Sequence, residues 1–255
     1  FLGSLLMLIG IIYVYLHTPG RLFEDGTQVL HSFALSAFQN AQLTEGEQNW
    51  LFWLFFIAFA VKMPVFPFHT WQPDTYDQSP TSVTMVLSAV MVKMGLFGII
   101  RWLIPVFPDA VAKFSDIVII LSVTGIIYAS CIAMVQDNIK KLVAYSSIAH
   151  IGLMCAALFA ANQVSIQGVM MQMFNHGINI IGMWIVADLL EKQTGVKEIS
   201  KLSGVANKAP VLTILFVIIA LANIALPLTN AFTGEFLMFS GLYNFNVWYA
   251  VFAGI

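Results

Sequence analysis

Long apolar runs, separated by polar connections, follow one another along the whole chain. A run of about twenty apolar residues is what an α-helix needs to cross the roughly 30 Å hydrocarbon core of a membrane. The runs are too long for strands, and a membrane barrel would show alternating segments of about ten residues instead. The pattern therefore predicts an all-α membrane protein, a polytopic transmembrane helical bundle. We predict about seven spans and the start of an eighth, at residues 1–16, from Trp50 into MPVFPFHTWQP, and at 80–104, 115–136, 138–160, 165–190 and 210–241.

Two of these spans contain helix-breaking residues in their interiors. Proline removes an amide donor and breaks or kinks a helix. A broken helix at membrane depth is tolerated only where it is buried in protein or lines a wet cavity. Two discontinuous helices in corresponding places favour an inverted-repeat transporter with its site at the breaks. The interruptions lie at Pro64, Pro67 and Pro73 in the second span and at Pro227, Asn230 and Gly234 in the seventh.

The distribution of lysine and arginine predicts the orientation of the bundle. The connections after the second, fourth and sixth spans hold more basic residues than the others, and the positive-inside rule places that side in the cytoplasm. The stretch 191–209 is interpreted as a solvated loop on that side, and Asp137 as the N-cap of the fifth span. The residues counted are Lys140, Lys141, Lys192, Lys197, Lys201 and Lys208 on this side and Arg21, Arg101 and Lys113 on the other.

Composition narrows the classes of function. Only 9% of the 255 residues are charged and 59% are hydrophobic, whereas about a quarter of a soluble domain is charged. The net charge of −2 is uninformative, and no basic cluster in the sequence suggests nucleic acid as a partner. Cys131 and Cys155 lie within apolar runs and are predicted to be small buried hydrophobes. Haem, iron–sulfur and zinc sites need sets of Cys or His that this sequence lacks, so we predict no redox centre on the chain.

Three ionisable residues lie inside predicted spans: Lys62, Lys93 and Glu235. A lysine at the centre of a membrane helix costs roughly 2.5–3.5 kcal/mol on insertion scales, so such residues usually mark a route for protons or ions. Lys62 and Glu235 also lie beside the two breaks. The alternatives are a lysine that extends to the headgroups, and a protonated glutamate that packs helices through hydrogen bonds.

Three histidines are further candidates for proton transfer. His176 shares one helix face with Gln172 and Asn179, which lie at i−4 and i+3. Such a stripe of polar side chains in a membrane helix either forms part of a proton relay or joins helices by hydrogen bonds. His150 follows a pair of serines by one turn and has the same two interpretations. His69 lies in the broken segment, where the alternative is an interfacial histidine among aromatic residues.

Several long stretches are similar to a known family. VKMPVFPFHTWQPDTYDQSPTS, VKMGLFGIIRW and DNIKKLVAYSSIAHIG resemble the antiporter-like subunits of respiratory complex I. QMFNHGINIIGMWIVADLLEKQTG and LPLTNAFTGEFLMF fit the same group. The lysine followed by Met-Gly-Leu-Phe-Gly and an arginine favours its subunit M branch, the counterpart of mitochondrial NADH dehydrogenase subunit 4. The resemblance runs from end to end.

The resemblance implies an inverted-repeat, antiporter-like fold. Residues 1–255 would be a single transmembrane domain, a fragment that lacks the N- and C-terminal parts of a longer subunit. Lys62 matches the lysine at the first broken helix, Lys93 the central lysine of the next helix, and Glu235 the acidic residue of the second broken helix. His150 and His176 match histidines of the family's central hydrophilic axis. A glutamate that pairs with Lys62 would fall before residue 1.

The implied function is that of a proton-translocating subunit in the membrane arm of NADH:quinone oxidoreductase, multi-pass in the bacterial inner membrane. Protons would enter from the cytoplasmic side near the first break, reach Lys62 and pass along the axis with the help of water and histidines. Glu235 would form the outlet or the link to a neighbouring subunit. No cofactor is expected on this chain, and NADH, FMN, iron–sulfur clusters and quinone are expected on other subunits. The expected partners are neighbouring antiporter-like subunits and the lipid bilayer. The residues predicted to form the route are Lys62, Lys93, Glu235, His150, His176 and His69.

Two other kinds of function stay open at this level. Multisubunit cation/proton antiporters and membrane-bound hydrogenases reuse the same fold, and their co-purifying subunits would distinguish them. A subunit that merely fills the membrane arm would tolerate replacement of Lys62, Lys93 and Glu235, although apolar residues would be cheaper to insert at those positions.

Overall fold

The computed structural model describes residues 1–22 and 29–254, and these residues are predominantly helical. The first part contains α1 (Leu2–Leu16), β1 (Arg21–Leu22), β2 (Val29–Leu30), α2 (Leu35–Gln39), α3 (Glu45–Lys62) and α4 (Trp71–Gln78). The long helices follow: α5 (Thr81–Val106), α6 (Pro108–Met134), α7 (Ile139–Phe159) and α8 (Gln163–Thr194). After a 3₁₀ turn at Ile199–Lys201 come α9 (Val205–Lys208), α10 (Pro210–Asn223), α11 (Asn230–Phe245) and α12 (Val247–Ala253).

Sequence signals at the helix ends account for these boundaries. Thr44 and Glu47 form a reciprocal capping box before α3, since the Thr44 amide donates to Glu47 Oε2 at 2.7 Å and the Glu47 amide to Thr44 Oγ1 at 3.4 Å. Asn138 and Asn162 are the side-chain caps of α7 and α8. Gly195, with a φ of 71°, ends α8 in the left-handed conformation that glycine adopts without strain.

The predicted N-cap of the fifth span was wrong by one residue. The Asn138 side chain accepts from the amides of Lys140 and Lys141 and so caps α7. The Asp137 carboxylate is directed instead to Ser200, which donates from its amide at 2.8 Å and from its hydroxyl at 2.7 Å. Both residues are good caps, and the loop after α8 decides between them by supplying donors to Asp137.

Residues 1–62 and 94–116 form one compact unit. Within it α1 packs on α3, and Gly10 makes this close approach possible, because a Cβ there would lie 2.6 Å from the Phe55 ring. The side chains of Gln48 and Asp109 join the start of α3 to the start of α6, with Gln48 Nε2 donating to Asp109 Oδ2 at 2.8 Å. Residues 23–28, which include Glu24 and Asp25 of the predicted 17–48 connection, lie outside the described residues.

Residues 63–93 and 117–255 form the second compact unit. The long helix α8 lies at its centre and packs against α7, α10, α11 and the first half of α5. Its core includes Tyr76 and Trp184, whose rings meet edge to face with centroids 5.6 Å apart. Cys155 is buried as predicted, but Cys131 is exposed. Cys131 lies off the stripe through Ser122, Ile126 and Ala129 by which α6 is buried.

Both predicted interruptions are present, with different bounds. The first separates α3 from α4 at residues 63–70, and Pro73 lies in the first turn of α4, where a missing amide donor is harmless. The second separates α10 from α11 at residues 224–229, so Asn230 begins α11 and Gly234 lies within it. Ala225 and Leu228 take positive φ values of 53° and 77° in this second break, a conformation disfavoured for residues with a Cβ.

The predicted spans agree with the observed helices to within a few residues, apart from longer ends on α6 and α8. Among the described residues, α5, α6, α7 and α8 are long and apolar enough to cross a membrane as unbroken helices. The prediction that residues 1–255 form one domain stays a prediction.

Candidate functional site

The predicted polar face of α8 is directed into the protein. Gln172, Asn175, His176 and Asn179 are all buried, and each bonds to a residue of a neighbouring helix or helix end. Spacings of three and four residues place these side chains one above another along the helix. This face of α8 is the surface on which the candidate site is built.

Lys93 of α5 reaches this face and contacts His176. Its Nζ lies 2.8 Å from His176 Nδ1, and the exposed fractions of the two residues are 6% and 2%. Lys93 Nζ also donates to the carbonyl of Ser88 at 2.7 Å. That carbonyl is accessible because residues 87–91 form a π-helical turn, in which the Val92 amide donates to Leu87, five residues back, rather than to Ser88.

On the other side of His176 lie His150 of α7 and Glu235 of α11. The His150 and His176 rings are tilted, with centroids 5.3 Å apart. His150 Nδ1 lies 3.0 Å from Glu235 Oε1, and Gln172 Nε2 donates to the same oxygen at 3.1 Å. Four helices thus contribute to one array of ionisable groups, which are in contact in the order Lys93–His176–His150–Glu235.

The hydrogen-bond capacity of the array suits the passage of a proton. When the lysine ammonium donates to His176 Nδ1, a neutral ring carries its own proton on Nε2. His176 Nε2, Gln172 Oε1 and Ser147 Oγ are buried and have no hydrogen-bond partner among the residues the structure describes. Buried polar atoms of this kind are normally satisfied by ordered water. The array therefore combines groups that exchange protons with positions suited to hold water.

Two predicted route residues lie elsewhere. Lys62, at the end of α3, is exposed and lines a mainly apolar cavity of about 420 Å³ in the first unit. No hydrogen bond or ion pair of Lys62 is found among the described residues, and its role stays a prediction. His69 is buried in the first break, where its ring meets those of Phe66 and Tyr128 at centroid distances of 5.7 and 5.0 Å.

Two residues that contribute hydrogen bonds around the candidate site were not identified from the sequence. Ser88 was not singled out, because its role depends on a π-helical turn that no short sequence signal marks. Asn223, the last residue of α10, is buried and donates to Ser146 Oγ at 3.3 Å. An asparagine beside a predicted break could have been noticed, since a polar side chain within a membrane span usually faces the bundle interior.

A charged cavity of about 710 Å³ lies at the predicted cytoplasmic end of the second unit. Lys140 is buried there and pairs with Glu191 at 2.5 Å, while Thr81 Oγ1 donates to Asp188 at 2.6 Å. Several side chains around this cavity pair with one another, and Lys192, paired with Asp188 at 2.7 Å, is exposed. Within residues 1–22 and 29–254, no group of three or more His, Cys, Asp or Glu side chains is arranged to hold a metal ion.

Comparison with known proteins shows the family to which the whole chain is similar. A family model described as NADH:quinone oxidoreductase/Mrp antiporter, transmembrane, matches residues 1–255. The chain belongs to this family. The NADH-quinone oxidoreductase subunit M of Rickettsia prowazekii is 40% identical over 249 residues, which are 97% of the chain and 48% of the relative. The subunit M of Rhodobacter capsulatus is 38% identical over 261 residues, 99% of the chain and 50% of the relative.

A solved structure shares the fold of this member of the NADH:quinone oxidoreductase/Mrp antiporter family. A chain of respiratory complex I from Thermus thermophilus with bound NADH matches with a TM-score of 0.90 and 29% identity, over 99% of this chain and 52% of that one. The chain thus spans about half the length of the relatives it matches. The predicted helical membrane fold and the family resemblance are confirmed. The predicted multi-pass location in the bacterial inner membrane agrees with a membrane family and with these bacterial relatives.

Proposed function

We propose that this chain is part of a proton-translocating membrane-arm subunit of an NADH:quinone oxidoreductase. The observation that supports this most directly is the array Lys93–His176–His150–Glu235, in which successive groups are separated by 2.8 Å, by 5.3 Å between ring centroids, and by 3.0 Å. Relatives that are 38–40% identical carry the name of subunit M of this enzyme.

Each group of the array has a distinct part in the proposed transfer. Lys93 holds a proton on Nζ and passes it to His176 Nδ1 along a hydrogen bond that already exists. His176 releases a proton from Nε2 towards His150, either through a water molecule or by ring rotation across the tilted contact. His150 then passes a proton to Glu235, whose carboxylate also accepts from Gln172. Glu235 forms the outlet or the connection to a neighbouring subunit.

The rest of the assembly supplies the energy in this proposal. This chain carries no cofactor, and NADH, FMN, iron–sulfur clusters and quinone belong to other subunits, whose redox chemistry changes the charge pairing along the axis. Lys62 receives protons near the first break, and His69 lies on the entry side. Neighbouring antiporter-like subunits and the lipid bilayer are the partners.

The alternative is a subunit of a cation/proton antiporter or a membrane-bound hydrogenase. The description of the family model includes Mrp antiporters, so the fold alone does not decide. The names of the more similar relatives favour the quinone oxidoreductase. Peripheral iron–sulfur and flavin subunits that co-purify with the chain support the first function. Nickel–iron subunits point to a hydrogenase, and small membrane subunits alone point to an antiporter.

The test is proton pumping by the full assembly in proteoliposomes with Lys93→Ala. Assembly is checked on native gels and by NADH–ferricyanide activity. We expect pumping and coupled quinone reduction to be lost with assembly intact, because the substitution removes the group that bonds to His176. Lys113→Ala is the matched control, since Lys113 is exposed, belongs to the first unit and pairs there with Glu45 at 3.0 Å. Unchanged pumping in Lys93→Ala would favour a subunit that only fills the membrane arm.

A further inference from the structure

The second break is held in place by hydrogen bonds from one helix. Asn179 of α8 donates from Nδ2 to the carbonyl of Ala222, in the last turn of α10, at 3.0 Å. The same side chain accepts at Oδ1 from Nδ2 of Asn230, the first residue of α11, at 3.0 Å. One turn away, Asn175 Nδ2 donates to the carbonyl of Asn230 at 2.7 Å. A single helix face thus binds both ends of the interruption.

These bonds add side-chain donors from α8 at both ends of the break. The Ala222 carbonyl also accepts from the Ala225 amide at 3.2 Å, so Asn179 supplies this oxygen with a second donor that comes from another helix. Within the break the Leu226 amide donates to the Leu221 carbonyl at 3.2 Å and the Thr229 amide to the Leu226 carbonyl at 3.0 Å, while Ala225 and Leu228 lie in the left-handed region. The asparagines therefore add anchor points on another helix to a segment whose backbone is strained.

The anchors lie on the same face of α8 as the array. Asn175 precedes His176 by one residue, and Asn179 follows it by three. On α11, Asn230 lies five residues before Glu235, about one and a half helical turns. Fixing the start of α11 against α8 therefore sets the height and rotation at which Glu235 meets His150.

We propose that Asn175 and Asn179 are positioning residues for proton transfer, which hold the second broken helix on α8 so that the Glu235 carboxylate stays in contact with His150. This inference rests on the proposed function, and it assigns to the two asparagines a task beyond general helix packing. Displacements of about 1 Å at a reacting group lower rates by up to a hundredfold, so loss of the anchors should act on transfer before it acts on assembly.

The experiment measures proton pumping against pH by the full assembly in proteoliposomes. Asn179→Leu keeps the approximate size of the side chain and removes both bonds, and we expect a loss of pumping on the order of tenfold and a displaced pH profile, with assembly intact. Asn179→Gln keeps a donor and an acceptor, and we expect it to restore most of the rate. Asn162→Ala is the control: it removes both the N-cap of α8 and a bond to α11, to the Gly241 carbonyl at 2.8 Å, and so disturbs the contact between the two helices at a place far from the break.

The results separate positioning from structure. An unchanged rate and pH profile in Asn179→Leu overturns the inference, as does an equal loss in Asn162→Ala. If Asn179→Leu fails to assemble, Asn230→Ala removes only the bond to Asn179 Oδ1 and is judged by the same rate and profile. Glu235→Gln is measured in parallel. Normal pumping in that variant overturns the proposed function and this inference together, whereas its failure beside a normal Asn179→Leu overturns the inference alone.

Discussion

At the scale of single residues, Lys93 shows how a charge is kept inside an apolar span. Insertion scales give a cost of roughly 2.5–3.5 kcal/mol for a central lysine. Hydrogen bonds that involve a charged group are worth roughly 1.5–3 kcal/mol each, and Lys93 makes two, to Ser88 and His176. The two terms are of the same size, so the ammonium is accommodated without a carboxylate beside it. A lysine held in this way is available to exchange its proton with the histidine.

The identity of Lys93 should matter beyond its charge. Arginine keeps the charge but stays protonated in proteins, and its guanidinium is larger and planar. We expect Lys93→Arg to assemble and to lose proton pumping nearly as fully as Lys93→Ala. The measurement is coupled quinone reduction and pumping by the reconstituted assembly. If Lys93→Arg pumped at the wild-type rate, a fixed positive charge would be sufficient at this position and the proton-exchange step proposed for Lys93 would be wrong.

At the scale of secondary-structure elements, the packing of α8 against α11 positions the candidate site. The close approach of these two helices depends on a glycine. Without a side chain at Gly168 the two backbones come close, because a Cβ there would lie 2.7 Å from the Met238 amide nitrogen and 2.9 Å from the Gly234 carbonyl oxygen. Both are backbone atoms, which cannot rotate away. Small residues allow membrane helices to approach in this manner.

Gly168→Ala should therefore separate the two helices. We expect a destabilisation of about 1–3 kcal/mol, the usual cost of overpacking, seen as a lower temperature at which half of the solubilised assembly is lost on native gels. Gly177→Ala, on the same helix, is the control, because its nearest neighbour would be the Ala89 carbonyl oxygen at an ordinary 3.5 Å. If both variants lowered this temperature equally, the close approach of α8 and α11 at Gly168 would not be what limits the stability of the assembly.

Helix positions could be predicted from the sequence more completely than helix ends. The long apolar runs place α5 and α7 to within a few residues, because a membrane leaves few alternatives to an unbroken helix. Pro64 and Pro227 also mark both interruptions. The exact caps depend on donors from distant loops, as Asp137 and its bonds to Ser200 show. The π-helical turn that presents the Ser88 carbonyl depends on packing and has no sequence signature.

At the scale of the whole molecule, the array brings together residues that are remote in the chain. Lys93 and His176 are separated by 83 positions, and His150 and Glu235 lie on two further helices. Spacing along one helix identified the polar face of α8, since i, i+3 and i+4 neighbours share a face. Spacing along one helix does not predict which side chains of different helices come into contact. Only the family resemblance therefore connects the four residues of the array at the level of sequence. Lys62 has the same support, whereas His69 is a candidate only through its place in the first break, and the described contacts do not join either residue to the array.

Each of the two units also has a carboxylate whose pKa makes it sensitive to acid. The Thr44 hydroxyl and then the Tyr13 hydroxyl, both donating to Glu47, lower the pKa of that carboxyl from 4.5 to about 2. The Ser200 hydroxyl and amide lower the pKa of Asp137. A folded-state pKa below the unfolded value stabilises above the unfolded pKa, and the contribution is lost as pH falls through the folded pKa. The hydrogen bonds between Thr44 and Glu47 and between Ser200 and Asp137 should therefore weaken in acid and remain formed near neutral pH.

The prediction concerns hydrogen exchange of the backbone amides of Thr44 and Ser200, corrected for intrinsic rates, between about pH 6 and about pH 2. We expect protection at each amide to fall progressively once pH drops below the ordinary pKa of its carboxyl, 4.5 for Glu47 and 3.8 for Asp137, because the opened state then binds a proton that the closed state does not. Glu47→Gln should remove the pH dependence at Thr44 and leave it at Ser200, and Asp137→Asn should do the reverse. Because the two carboxylates belong to separate units, each variant is the control for the other. Loss of protection at both amides in either variant would mean instead that acid opens the molecule as a whole.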